Sequence, residues 1–333
     1  MVNIRHIAKV TGYSVSTVSR ALNNKSRISQ STREKIFAAA KELEYIPNSK
    51  AVSLSIGKSF SLGVIVPYAT SNNYYDKIMS SIISESFENG YRVTFLPTDY
   101  DKERELDYLR MLSAKEYDGM IITSAANDYK EIEKFRKFGN IVSCEDTGEA
   151  AISSVVLERG KAYGPLLERL KEHGFETFGV TFSREPMSSV GAGEVFEAFS
   201  KSADGFSERY AFANCRTFDD GIRAAKYFGS LDRKVDCLFA NNDEIAAGML
   251  SYFASEGKKA PVVIGQDNLS ISRALNIPTI DFHLHSLGSE AVKLCLSGRQ
   301  EKKVLKSIFI DRGLFDGRSD GKGGEACISK RNV

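Results

Sequence analysis

The chain has 333 residues, 42% hydrophobic, 26% charged and 10% aromatic, a mixture that excludes a disordered, collagen-like or membrane-embedded protein. The length exceeds what one core usually holds, so about two domains and a small appendage are expected. The net charge is only +2, but residues 1–58 carry ten Lys or Arg against three acids, while the rest holds 35 bases against 40 acids. A basic head on a mildly acidic body points to a polyanion as partner, because neutralising phosphates releases counterions.

The head contains three helical patterns. Ile4, Ile7, Ala8 and Val10 mark the first, with Asn3 as its N-cap, and Gly12-Tyr13-Ser14 interrupts it. Val15, Val18, Ala21 and Leu22 repeat at helical spacing behind a cap at Ser14 or Ser16. Helix, Gly-containing turn and second helix form the helix-turn-helix pattern, whose second helix enters the major groove. The third helix is expected from a cap at Ser31 through Ile36, Phe37, Ala40 and Leu43. Ile7, Val18, Leu22, Ile36, Phe37 and Leu43 can close a small core. That leaves Val15, Ser16, Thr17, Ser19, Arg20 and Asn23 on the outer side of the second helix, where hydroxyls suit phosphate oxygens and Arg suits guanine O6 and N7.

Three blocks, IRHIAKVTGYSVSTVSRALN over residues 4–23, Ser31-Thr32-Arg33-Glu34-Lys35, and Tyr45-Ile46-Pro47-Asn48, closely resemble the LacI/GalR family of bacterial transcription regulators. The resemblance implies that Val15 and Ser16 are the variable base-reading pair and Arg20 a further base contact, with Thr17, Ser19 and Asn23 on the phosphates. His6 stands where the family usually has an acid, and reads as a surface residue. The small, polar run NSKAVSLSIGK (48–58) is too short to hold a helix alone. It resembles the family's hinge, which orders when two copies pair over the minor groove, and Leu54 matches the leucine that wedges between base steps. A plain flexible tether is the other reading of its composition.

From Phe60 onward short apolar runs alternate with amphipathic helices. Strands are expected at Leu62–Val66, Arg92–Leu96, Met120–Thr123, Ile141–Ser143, Val155–Leu157, Phe178–Phe182, Cys237–Ala240 and Val262–Ile264, with eight helices between 74 and 296. The alternation predicts α/β architecture with parallel sheets and right-handed crossovers. About 250 residues exceed one such sheet, so two Rossmann-like lobes are expected, the last strand, Val304–Phe309, crossing back into the first. Ligands of such sheets gather outside the strands' carboxyl ends, here the cleft. The body also resembles the family's periplasmic-binding-protein-like domain, in Leu62-Gly63-Val64-Ile65-Val66-Pro67, Tyr117-Asp118-Gly119-Met120-Ile121-Ile122 and Phe239-Ala240-Asn241-Asn242-Asp243. The expected division is 1–47 head, 48–59 hinge, 60–315 effector-binding and dimerising body, and 316–333 a Gly-rich, disordered tail.

Sugar-responsive members have an Arg at the position of Gly191, a Gln at Phe282 and a Phe at Gln266. Losing a bidentate Arg removes a principal anchor; either the effector differs from the usual sugars, or Arg184 and Arg159 supply the charge. The candidate effector residues are Tyr75, Ser124, Glu158, Arg184, Asn242, Asp267 and Phe282.

Other classes fare worse. The chain has no P-loop, no GxGxxG at the first strand turn, no GxSxG elbow and no HExxH, so catalysis is not expected. A solute-binding protein would carry an export signal in place of the basic head. The altered cleft also leaves open a body that senses a partner protein. Cys144, Cys215, Cys237, Cys295 and Cys327 are far apart and never in a CxxC pair, which favours reduced thiols. His283 and His285, at i, i+2 with no further ligand, read as structural, so neither metal nor cofactor is expected. The N-terminal run lacks a signal's apolar stretch and no window approaches the ~18 apolar residues of a membrane span. The sequence thus predicts a cytoplasmic, homodimeric repressor that binds double-stranded operator DNA and a sugar-like small-molecule effector.

Overall fold

The computed structural model describes residues 2–23, 28–47, 53, 56–68, 73–188 and 190–316. Leu54, most of the hinge run and the tail from 317 lie outside these residues. In the head, α1 (Ile4–Thr11) is capped by Asn3, whose side chain accepts the Arg5 N–H at 2.9 Å. The Asn3 N–H in turn donates to His6 Nδ1 at 3.2 Å. The imidazole therefore takes the place that Glu or Gln fills in a capping box, which gives this exposed residue a structural task. Gly12 ends the helix at φ 73°, where its N–H donates to the Ala8 carbonyl at 3.0 Å; this left-handed geometry favours glycine.

Ser14 caps α2 (Val15–Leu22), its Oγ accepting the Thr17 N–H at 3.1 Å. α3 (Gln30–Glu42) starts two residues before the expected point. Ser29, not Ser31, is its cap, since Ser29 holds the extended backbone a cap requires and its Oγ accepts the Thr32 N–H at 3.2 Å. Ile7, Val18, Ala21, Ile36, Ala39 and Ala40 form the buried core, with Leu22 and Leu43 at its edge. Phe37 is not in it: the side chain is 45% exposed. One residue on from Ile36, it is turned about 100° away, and the small Ala39 and Ala40 fill the inner face instead.

In the body, β1 (Ser61–Val66), β2 (Arg92–Pro97), β3 (Gly119–Ile122), β4 (Asn140–Ser143) and β5 (Ser153–Leu157) alternate with α4 (Asn73–Glu88), α5 (Lys102–Ser113) and the short α6 (Tyr129–Glu133). Then come α7 (Arg159–Glu172), β6 (Phe178–Thr181), α8 (Val190–Ser202), β7 (Ala211–Phe212), α9 (Phe218–Gly229), β8 (Cys237–Phe239), α10 (Asp243–Ser255), β9 (Val262–Gln266), α11 (Ser270–Ala274), β10 (Thr279–Asp281), α12 (Leu284–Ser297), β11 (Lys302–Leu305) and β12 (Ile308–Ile310). Two six-stranded sheets result, in the orders β11-β5-β4-β3-β1-β2 and β12-β10-β9-β8-β6-β7. Every pair is parallel except β10 with β12. The continuous burial of Leu62–Val66 reflects helices on both faces of the sheet.

The expected final strand, Val304–Phe309, is two strands. β11 pairs with β5 in the first lobe, and β12 pairs with β10 in the second. Lys306 and Ser307 break the apolar run, and each half completes the edge of a different sheet, so the chain crosses between lobes after β5, β10 and β11. α6 stops at Glu133, and after a short break the chain makes a 3₁₀ turn, Arg136–Phe138.

In the second lobe α9 and α10 pack backbone to backbone. A Cβ on Gly248 would overlap the Phe218 carbonyl oxygen, and one on Gly221 the Ile245 carbonyl oxygen. Neither neighbour is the end of a flexible side chain. Gly248→Ala is therefore expected to cost ~1–3 kcal/mol by overpacking, read as a lower midpoint in urea unfolding; an unchanged midpoint would show that the helices separate freely. Cys144, Cys215, Cys237 and Cys295 are buried and form no disulfide among the described residues. Among the described residues no helix is long and apolar enough to cross a membrane.

Candidate functional site

Two surfaces offer polar groups in a pattern that packing does not explain. The first is the outer face of α2. At 100° per residue, Val15, Ser16, Ser19, Arg20 and Asn23 fall within roughly 140° of arc, and Thr17 lies outside it. Val15 is 43% exposed, and Ser16 and Arg20 are exposed. Ser14 Oγ lies 2.9 Å from Ser16 Oγ and 2.8 Å from Thr17 Oγ1, a chain of hydroxyls across the helix N-terminus. Asn23 Nδ2 donates to Ser19 Oγ at 3.4 Å. Arg20 makes no ion pair with a described residue, so its guanidinium is available to an outside anion or base edge. Leu54, the expected wedge, lies outside the described residues.

The second surface is the cleft between the lobes, about 1180 Å³ at the carboxyl ends of both sheets. Tyr75, Ser124, Glu158, Arg184 and Asn242 lie in its wall as the sequence placed them. Their roles there differ. Ser124 Oγ donates to Glu145 Oε1 at 2.7 Å and lies 3.1 Å from the Tyr100 hydroxyl. Glu145 also accepts the Ala125 N–H at 3.0 Å and the Tyr129 hydroxyl at 3.1 Å, so this carboxylate is already well served. Asn242 caps α10, its Oδ1 accepting the Ile245 N–H at 2.8 Å, which leaves the amide nitrogen for a ligand. Glu158 pairs with Lys161 at 2.6 Å on the rim.

Asp267 and Phe282 do not line the cleft. Each is about 1% exposed, beneath the wall. Phe282 is core, and the Arg159 guanidinium lies 4.9 Å from its ring centroid. Asp267 sits at φ 83° with Oδ1 buried and unbonded. Burial pushes its carboxyl up to about 7 against the pull of Arg159, and Asp243 adds to the rise. Behind the cleft, Lys77 of α4 donates to the Asp267 and Asn268 carbonyls at 2.6 and 3.0 Å, tying the first lobe to the second.

The fold brings further residues to the wall that the candidate set lacked: Tyr68, Tyr74, Tyr100, Glu145, Arg216 and Gln266. Most follow a strand's carboxyl end within a few residues, and that position is the signal that finds them. Gln266 donates to the Ala240 carbonyl at 3.1 Å, bracing β9 against the segment after β8. Tyr74 is bonded to Arg159 Nη2 at 2.8 Å, and burial raises its hydroxyl to about 12, so it stays protonated.

A three-helix head with an open polar face on its second helix, carried on two parallel α/β lobes around a polar cleft, defines a helix-turn-helix module on a periplasmic-binding-protein-like body. Residues 3–48 match the bacterial regulatory proteins of the lacI family, and residues 59–310 match the periplasmic binding proteins and sugar binding domain of the LacI family. The chain belongs to the LacI family. It is 36% identical to catabolite control protein B of Bacillus subtilis (strain 168), over 89% of this chain and 94% of that protein. It is 30% identical to the NTD biosynthesis operon regulator NtdR of the same organism, over 88% and 91%. The crystal structure of the lac repressor dimer bound to operator and the anti-inducer ONPF shares the fold, with a TM-score of 0.80 at 21% identity, over 93% of this chain and 97% of that one.

Proposed function

We propose that the protein is a cytoplasmic, homodimeric repressor of transcription that reads a near-palindromic operator and is controlled by a small molecule in the cleft. The observation that carries this reading is Arg20, exposed on α2 with no ion pair to a described residue, in an N-terminal segment (1–58) with a surplus of seven positive charges. In this reading Val15, Ser16 and Arg20 meet base edges, and Thr17, Ser19 and Asn23 meet phosphates. The names of the relatives support regulation in place of catalysis, since the regulator NtdR and the ribose operon repressor of Halalkalibacterium halodurans, 28% identical over 92% of both chains, are both regulators.

Dimer formation is supported by α4, which exposes Ile83 and, one turn on, Phe87, the latter 81% exposed. Pairing of two bodies through this face would set the spacing of two heads on half-sites one helical turn apart. Leu54 is assigned the wedge between base steps, so Leu54→Ala should weaken operator binding and reduce DNA bending in a circular-permutation gel, with the body still folded. Selection from random duplexes with the purified chain tests the whole reading: a near-palindrome should be enriched, and recovery of unrelated sequences would refute it.

A further inference from the structure

Three arginines on the second-lobe side of the cleft have no ion pair with a described residue. Arg159, Arg184 and Arg216 stand two to four residues past the carboxyl ends of β5, β6 and β7. Each guanidinium lies over a tyrosine of the first lobe: Arg159 at 5.2 Å from the Tyr74 centroid, Arg184 at 4.4 Å from Tyr100, and Arg216 at 5.5 Å from Tyr68. With Tyr75 these rings make a continuous edge-to-face run, with centroid separations of 5.5, 6.4 and 4.9 Å. Gly191 makes room for this arrangement, because a Cβ there would come within 3.1 Å of Arg159 Cδ.

The lysines of the same wall behave differently, since each has a carboxylate partner, as Lys302 has in Asp146 at 2.7 Å. Glu145, the acid set deepest among the tyrosines, is occupied by Ser124, Ala125 and Tyr129. Stacking uses the face of a guanidinium and leaves N–H donors on its edge. Arg159 spends one of these on Tyr74 and Arg216 spends Nε on the Ser183 carbonyl at 3.1 Å; Arg184 donates to no described residue. A planar fork of free donors matches a phosphate. Arg159 faces the buried Asp267 carboxyl, but a neutral sugar would give Arg184 and Arg216 no counter-charge, whereas a phosphate monoester brings about −1.5 to −2.

We propose that the cleft takes an anionic effector, a phosphate monoester of a sugar, with its phosphate held by Arg159, Arg184 and Arg216 and its ring against the tyrosine run. This rests on the reading of the cleft as the effector site. A free sugar phosphate and a nucleotide share this chemistry. Because each arginine touches a first-lobe ring, an anion gathered by them acts on both lobes at once and favours one lobe arrangement through its differential affinity.

The test is calorimetric titration and thermal unfolding of the full chain with glucose 6-phosphate, ribose 5-phosphate and AMP, beside glucose, ribose, adenosine and inorganic phosphate. At least one ester should bind about tenfold or more tighter than its unphosphorylated partner, weaken as ionic strength rises, and lose that advantage in Arg184→Gln and Arg216→Gln. Both side chains reach solvent, so the variants should melt like the parent without ligand. Preference for the sugar phosphates or for AMP identifies the source. Equal binding of ester and neutral partner, indifferent to the arginine variants but lost in Asn242→Ala, would overturn the anion while leaving the cleft as effector site. Inorganic phosphate binding as tightly as every ester would remove the sugar. No binding by any probe would overturn the proposal and the cleft reading together.

Discussion

Arg20→Ala is expected to cost ~1–3 kcal/mol of operator affinity and to relax preference at one base position. The side chain is exposed on α2 and free of described ion pairs, so its removal opens no cavity and orphans no carboxylate. The loss should therefore appear in binding and not in the stability of the head. A phosphate contact would give a different signature, a uniform loss across sequences with a smaller salt slope. Selection with the variant beside the parent separates the two, and an unaltered base preference would move Arg20 from the bases to the backbone.

Asp267→Asn should make the body more stable at pH 8 and leave it nearly unchanged at pH 4. Burial holds the carboxyl up to about 7 in the folded chain, against an ordinary Asp value of about 4 in the unfolded one. Between these values the folded state binds the extra proton. This group's contribution is therefore fully present below about pH 4 and is lost as pH rises through about 7, a total on the order of 3–4 kcal/mol. Asparagine cannot ionise, and it tolerates the left-handed φ of 83°. Urea midpoints of parent and variant at both pH values check this. A difference that does not grow with pH would mean that Arg159 holds the carboxylate ionised in the folded protein.

The head was legible because local chemistry decides it: Gly12 breaks the helix, Asn3 and Ser14 cap, and the apolar spacing fixes which side of α2 faces out. The third cap was misplaced because Ser29 and Ser31 are equal in type, and only the backbone angles choose between them. In the body, alternating strands and helices revealed two parallel lobes, but nothing in Val304–Phe309 shows that its halves serve different sheets, since edge partners belong to the topology. The cleft was legible to the same degree. Ser124, Glu158, Arg184 and Asn242 reach the wall because each stands within three residues of a strand end, and Tyr75 because it lies in the first turn of α4. Asp267 and Phe282 share such positions, yet lie under the wall, where depth depends on how Arg159 and α12 pack over them. The pairing of three arginines with three tyrosines joins residues 84 to 148 positions apart in the chain and on opposite lobes, which no local pattern encodes.

Everything turns on whether the head prefers one duplex to another. Fluorescence anisotropy of the full chain on its selected operator and on a scrambled duplex of the same composition, at physiological salt, decides it. The expected affinity ratio is ~10³ or more, with the affinity for both duplexes falling steeply as salt rises. A ratio near one, held down to low ionic strength, would contradict a sequence-reading head.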